Sequence, residues 1–184
     1  MKLNRGALLA ALLGVALAAT AAPLKTDPAK SSVSAVFKQM NVPVESQFKK
    51  FTAQIDYNAA KPELAKASVE IDTASLDVGD ADMNKEVAKK DWFNSAQFPK
   101  ASFVSSSIKP AGPGKLNVAG KLSIKGKSTD VAFPLMIKTE AGKQVFEGAL
   151  PIKRLTYAVG EGEWKDTSMV ADEVVIKFRV TAAQ

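Results

Sequence analysis

The 184-residue chain contains no histidine and no cysteine. Without histidine it lacks the commonest general base and the commonest transition-metal ligand. Without cysteine it has no thiolate nucleophile and no disulfide staple, and with both absent a thiolate or imidazole zinc site is excluded. The core must hold by burial alone. Aromatic residues are sparse at 7%. Yet the stretch DWFNSAQFPKASF, Asp91 to Phe103, gathers Trp92, Phe93, Phe98 and Phe103 around Pro99. Long apolar runs are missing too: beyond the first 21 residues nothing approaches the ~20 apolar residues that span a bilayer.

The N-terminus is the exception. Lys2 and Arg5 precede an apolar run from Gly6 to Ala19, and Ala19-Thr20-Ala21 supplies a small-x-small cleavage site. This is the pattern of a secretory signal peptide over 1–21, with the cut expected before Ala22. Export to the periplasm follows as the expected location. Residues 22–184 suit one domain, long enough to bury roughly 70% of its unfolded surface. The formal charge is +6, but the lysines are scattered, often at alternate positions, as on a solvated face. With export, no nucleic-acid partner is expected.

Most of the remaining sequence alternates with period two. Val33, Ala35 and Phe37 share one face, as do Phe51, Ala53, Ile55 and Tyr57. Leu116, Val118, Gly120, Leu122 and Ile124 repeat the pattern, then Val131 to Ile137, then Val174 to Val180. Such alternation marks half-buried antiparallel strands. With turn signals between them, the strands predict an all-β fold, a closed barrel or a sandwich. One segment departs. Residues 80–90 begin with Asp80 or Asp82 as a helix cap and place Met83 and Val87 four apart, which predicts a short helix leading into Trp92-Phe93.

The chemical motifs are thin. Ser46-Gln47-Phe48-Lys49 fits S-x-x-K, but the partner motifs of that chemistry are absent and the stretch leads into a strand. Asp77, Asp80 and Asp82 miss the calcium-loop spacing, and turn and cap roles account for them. Gly160-Glu161-Gly162 lacks the third glycine of a dinucleotide loop and reads as a turn. Lys153-Arg154 has phosphate-gripping chemistry, though an exposed basic pair at a strand end explains it more simply. No carboxylate pair stands out, so no catalytic residue, metal site or cofactor is assigned. What remains is the apolar set. Small inward residues such as Ala35, Ala53, Gly120 and Gly148 leave room in a small barrel unless large neighbours fill it.

The chain resembles the YceI-like family of exported, lipocalin-like, polyisoprenoid-binding proteins. SSVSAVFKQMNVPVESQFKKFTAQIDY is similar to the family's opening strands, ASVEIDTASLDVG to its next strand and serine turn, and GKLSIKGKSTDVAFPLMI to its G-x-L-x-I-x-G hairpin. DWFNSAQFPKASFVSSSI is the most specific part. Met83-Asn84 stands where many members carry Arg-Asp. The resemblance implies an antiparallel, roughly eight-stranded lipocalin-like barrel over 22–184 around a long apolar pocket. It implies an isoprenoid lipid, of quinone or polyprenyl type, as the occupant, carried or sequestered under stress rather than chemically changed. The expected lining is Phe37, Met40, Phe48, Phe51, Ile71, Val87, Trp92, Phe93, Phe103, Leu122, Phe146 and Phe178, with Met83 and Trp92 at the entrance. Transient contact with a membrane surface and a homodimer are compatible with this role. Two other readings stay open: a packed-core interaction module without ligand, and an enzyme acting on a small lipid.

Overall fold

Alternating apolar residues bury one face of a strand and must find a second layer, and here the sheet supplies it by curling on itself. The structure is a computed structural model that describes residues 23–183. The strands are β1 (Lys25–Thr26), β2 (Ser32–Gln39), β3 (Val42–Phe48), β4 (Phe51–Asp56), β5 (Lys66–Asp72), β6 (Leu76–Asp77), β7 (Lys100–Pro110), β8 (Lys115–Ile124), β9 (Lys127–Glu140), β10 (Lys143–Lys153) and β11 (Val170–Ala183). One helix, α1 (Ala81–Val87), lies between β6 and β7. The pairing order is β4-β5-β7-β8-β9-β10-β11-β2-β3-β6, antiparallel throughout, with β1 on β11. The all-β antiparallel expectation holds. The strand count exceeds eight partly because β1 and β6 are two-residue strands, too short to show alternation.

Three hairpins turn on two consecutive residues of positive φ: Met40-Asn41, Lys125-Gly126 and Ala141-Gly142. This is the type I′ geometry whose twist matches that of the flanking strands. Closure is incomplete and uses little ladder. The chain turns the corner from β3 to β4 at Lys49-Lys50, and the Leu24 amide reaches the Ile55 carbonyl at 2.7 Å beside β4. On the opposite side β9 and β10 pair only from Gly148 and Leu135 toward their shared turn. The split this leaves between the first half of β9 and the second half of β10 is plugged by the 3₁₀ turn Arg154–Tyr157. Tyr157, 2% exposed, bonds through its hydroxyl to Thr129 of β9.

Inside, a row of rings crosses the barrel. Phe103 of β7 meets Phe133 of β9 at 5.4 Å, and Phe133 meets Phe178 of β11 at 5.5 Å between centroids. The inward glycines seat this row. A β-carbon on Gly120 would strike the Phe103 ring, and one on Gly148 would strike Phe178. The room that Gly120 and Gly148 offer is therefore taken by rings. A bulge between Ser105 and Ser107 resets the phase of β7, so Phe103 and Ile108 both face inward although they are five residues apart.

Gly148→Ala drives a methyl group into the Phe178 ring, which must give way toward the cavity it borders. A stability loss of about 1–3 kcal/mol is expected in urea unfolding.

Candidate functional site

One end of the barrel is closed by three pieces: α1, the loop after it, and residues 154–169. Asp80 caps α1 by accepting from the amides of Asp82 at 3.0 Å and Met83 at 2.9 Å. Only the last turn of α1 enters the barrel end, so Val87 is buried while Met83, one turn earlier, is 39% exposed. The chain then tightens through bonds from the Phe93 amide to the Val87 carbonyl and from the Ser95 amide to the Ala88 carbonyl. The buried Thr73 holds the loop's far side, its hydroxyl 2.8 Å from the Phe98 carbonyl and 2.9 Å from Ser95 Oγ.

The third piece winds around Arg154, which is 3% exposed. Its Nε donates to the Ala171 carbonyl at 3.1 Å. Nη1 donates to Val159 and Gly160, both at 2.9 Å, and Nη2 to Trp164 at 2.6 Å and Val170 at 2.8 Å. All five guanidinium donors are thus spent on backbone carbonyls. Burial lowers the Arg154 pKa from its usual value, and the charge of nearby Asp172 works the other way. The expectation of an exposed basic pair is corrected at this residue, as is phosphate gripping, because no donor is free. The Trp92 ring lies 5.7 Å from the guanidinium carbon and 5.3 Å from the Trp164 ring. The Asp91 carbonyl accepts from the amides of Gly160 at 2.8 Å and Glu161 at 2.7 Å. Gly160, at φ +80, has no room for a β-carbon beside Arg154.

Between this cap and the far end lies a cavity of about 170 Å³. Its exposed wall is entirely apolar, and its only charged lining residues are Arg154, already committed, and Lys66. Several inward residues, including Val69, Phe103, Ile176 and Phe178, keep some accessible surface although they face the interior, because they border this void. Lys66 is the only lining residue that is itself exposed; it stands at the start of β5, at the end away from Arg154.

Of the expected residues, Phe48, Ile71, Phe93, Phe103, Leu122, Phe146 and Phe178 line the cavity. The others do not. Met40 sits on the β2–β3 turn at φ 46 and is 62% exposed, so it belongs to a hairpin tip. Phe37 lies near that tip, paired with Val44 and Val174. Phe51 and Val87 belong to a second apolar cluster with Val33 and Leu76. Met83 is on the outer part of α1. Trp92 forms part of the cap rather than an entrance. For the strand residues Phe37 and Phe51, period two gives no depth: a strand can point inward and still run past the cavity. Lining residues not singled out from sequence include Tyr57, Phe133, Leu135, Tyr157 and Val159. The first three lay in visible alternation; the last two come from an irregular loop with no such signal.

The remaining motifs have structural roles. Asp77 accepts from the Gly79 amide and from Asn84 and pairs with Lys49 at 3.3 Å, which together hold its carboxyl below the usual range. Asp82 pairs with Lys85. Ser46 faces inward with no hydrogen-bond partner, so no base activates it. Among the described residues no cluster of three or more acidic side chains could hold a metal ion.

A curled antiparallel sheet, capped at one end over an apolar cavity, is the architecture of a lipocalin-like binding barrel. The YceI-like domain family matches residues 24–182, and the chain belongs to that family. A UPF0312 protein of Shewanella sp. strain W3-18-1 is 35% identical over 141 residues, covering 73% of this chain and 72% of its own. The crystal structure of Burkholderia cenocepacia BcnA superposes with a TM-score of 0.84 at 54% identity, over 86% of this chain and all of that one. A polyisoprenoid binding domain from Saccharophagus degradans, implicated in plant cell wall breakdown, shares the fold with a TM-score of 0.69 at 16% identity, over 89% of this chain and 98% of that one.

Arg154→Lys leaves three donors where five carbonyls converge. A loss of at least about 3 kcal/mol in denaturant unfolding is expected, since each buried group left unpaired costs about 1–3 kcal/mol.

Proposed function

We propose that this protein is a periplasmic binding protein that holds an isoprenoid lipid in its barrel and shields it from water. The observation that carries the reading is the interior cavity whose exposed surface is apolar. An apolar void of roughly 150 Å³ stays dry and takes a benzene-sized guest, so the space here suits about one or two isoprene units. Each buried CH₂ contributes about 0.8 kcal/mol, so a short branched tail binds usefully even after ordering costs. A longer tail extends toward the end marked by Lys66, which serves as the mouth in place of Trp92. Membership in the YceI-like family and the polyisoprenoid-binding description of the Saccharophagus degradans neighbour support the same ligand class.

Binding without chemistry is favoured over catalysis. The wall offers no activated nucleophile and no acid–base pair, and its one buried charge is spent on the cap. The cavity also separates this reading from that of a fully packed interaction module.

The test is native mass spectrometry of protein recovered from the periplasmic fraction, followed by solvent extraction. A co-purifying isoprenoid is expected. A clean unliganded mass, unchanged on adding prenols or isoprenoid quinones, overturns the reading. Ala67→Phe, which projects a ring into the void from a half-buried lining position, should lower lipid occupancy several-fold. Its melting temperature should stay within a few degrees of the parent.

A further inference from the structure

Without Lys2 and Arg5, which precede the described residues, the chain has 23 basic and 19 acidic residues, an excess of four. That excess is not spread over the surface. At the end of the barrel away from Arg154, β4, β7, β9 and β11 finish and β5, β8 and β10 begin. Part of the charge there is spent in ion pairs. Lys143 holds Asp27 at 2.8 Å, and Lys138 and Arg179 hold Glu140 and Glu147 between them. What is left is six exposed lysines: Lys25, Lys30, Lys61, Lys66, Lys109 and Lys115. Among the described residues none of the six has a carboxylate within ion-pair distance. The other carboxylates at this end are Asp56, which stands opposite Lys66 in the β4–β5 ladder, and Glu63. Nine basic and five acidic residues thus gather here, and the remaining fourteen of each sign cancel. The whole net charge lies around one end of the barrel.

The same end holds the mouth. Ala65 and Lys66 line the cavity, and Leu64 beside them, on the 3₁₀ turn Pro62–Leu64, is 64% exposed. The six lysines come from three pieces of chain: the N-terminal segment on β11, the loop into β5, and the β7–β8 hairpin. They form an arc around the mouth rather than one compact patch. Lysine is a point charge on a flexible stem, without the arginine fork that fits one fixed carboxylate. An arc of such charges beside a protruding leucine suits a broad anionic surface with an apolar layer beneath it. The other exposed apolar cluster, Met40, Val42 and Met169, lies at the capped end, away from the excess charge. We propose that the barrel docks mouth first on an anionic phospholipid bilayer, with the six lysines at the head groups and Leu64 in the interface. This rests on the carrier reading, which gives the barrel its mouth at Lys66. It adds a partner: an apolar cargo passes between bilayer and cavity without crossing water.

The experiment measures co-sedimentation of the purified protein with two kinds of vesicle: phosphatidylcholine alone, and phosphatidylcholine with a one-third share of phosphatidylglycerol. Binding is expected only with phosphatidylglycerol. It should be lost near 1 M salt, where the screening length falls to about 3 Å. A lysine at an anionic surface strengthens binding about fivefold. The combined variant Lys25→Gln, Lys61→Gln, Lys109→Gln and Lys115→Gln should therefore bind at least about tenfold more weakly. Its control is Lys38→Gln, Lys90→Gln, Lys127→Gln and Lys153→Gln, four exposed lysines toward the capped end. The control changes the net charge equally and should cost less than about twofold, because charges farther than a screening length from the surface contribute little. Both variants should melt within a few degrees of the parent, since none of these lysines makes an ion pair among the described residues. Leu64→Ser should weaken binding several-fold. The chain has no cysteine, so Lys61→Cys and Lys127→Cys can each carry a single environment-sensitive dye. Its emission should shift to the blue on phosphatidylglycerol vesicles in the first and stay unchanged in the second. Equal losses in the two lysine variants, or a blue shift in Lys127→Cys, overturns mouth-first docking. No binding to phosphatidylglycerol vesicles overturns the inference outright, whatever acidic protein the lysines then meet. Neither result touches the carrier reading, which is decided by the extracted isoprenoid.

Discussion

Everything at the closed end of this barrel depends on one buried cation. Among the described residues no carboxylate is bonded to Arg154. Instead, five backbone carbonyls from a loop and the start of β11 converge on its guanidinium. The loop it organises is rich in glycine and charge, GEGEWKD, and brings only Trp164 as an apolar side chain to hold it on the cap. Desolvating a guanidinium is expensive, and charge-assisted hydrogen bonds to carbonyl oxygens are what make it tolerable. The geometry permits little freedom, since five donors in a rigid planar fork fix the positions of five acceptors. Trp92 lies on the guanidinium and Asp91 receives the amides of Gly160 and Glu161, so the aromatic loop is locked to the same centre. Lys125 adds an outer tie, donating to the Ala158 carbonyl at 2.6 Å and pairing with Glu161 at 3.2 Å.

With the end fixed, the interior is set by a balance of ring size and missing side chains. Phe103, Phe133 and Phe178 span the barrel, and Gly120 and Gly148 let two of them sit close against the opposing strands. Larger residues at the glycines would push the rings inward and close the void. The barrel thus holds a cavity without being empty. Each ring has one face on the wall and leaves some surface toward the open space, which explains how inward-facing phenylalanines remain partly accessible.

The strands were legible because half-buried antiparallel strands carry their own period. Leu116 to Ile124 and Val174 to Val180 alternate cleanly, and both face the core as that pattern predicts. The failures have specific causes. Met40-Asn41 is an unusual pair for a turn that prefers glycine or asparagine, so Met40 looked like interior rather than a hairpin tip. The serines at 105–107 hid a bulge, because serine fits either face. Arg154 looked like a surface residue next to Lys153, and nothing local distinguishes a guanidinium bound for solvent from one bound for five distant carbonyls. The family resemblance captured the barrel, and about half of the residues it named line the cavity, but motif similarity does not separate a ring that borders a void from one that seals an end.

The stretch from Asp91 to Phe103 shows that distinction most sharply. Phe93 and Phe103 border the cavity, Trp92 covers Arg154, and Phe98 packs against the β8–β9 turn, where a β-carbon on Gly126 would lie 2.8 Å from its ring. Four aromatic residues close in sequence thus serve a wall, a cap and a turn. The division follows from the chain's path: after α1 it crosses the end of the barrel before entering β7, so successive rings meet different surfaces. A crossing segment of this kind has to bury its rings on both sides. Cap and cavity wall are a single covalent piece here at Trp92-Phe93, as they are again at Arg154, Tyr157 and Val159.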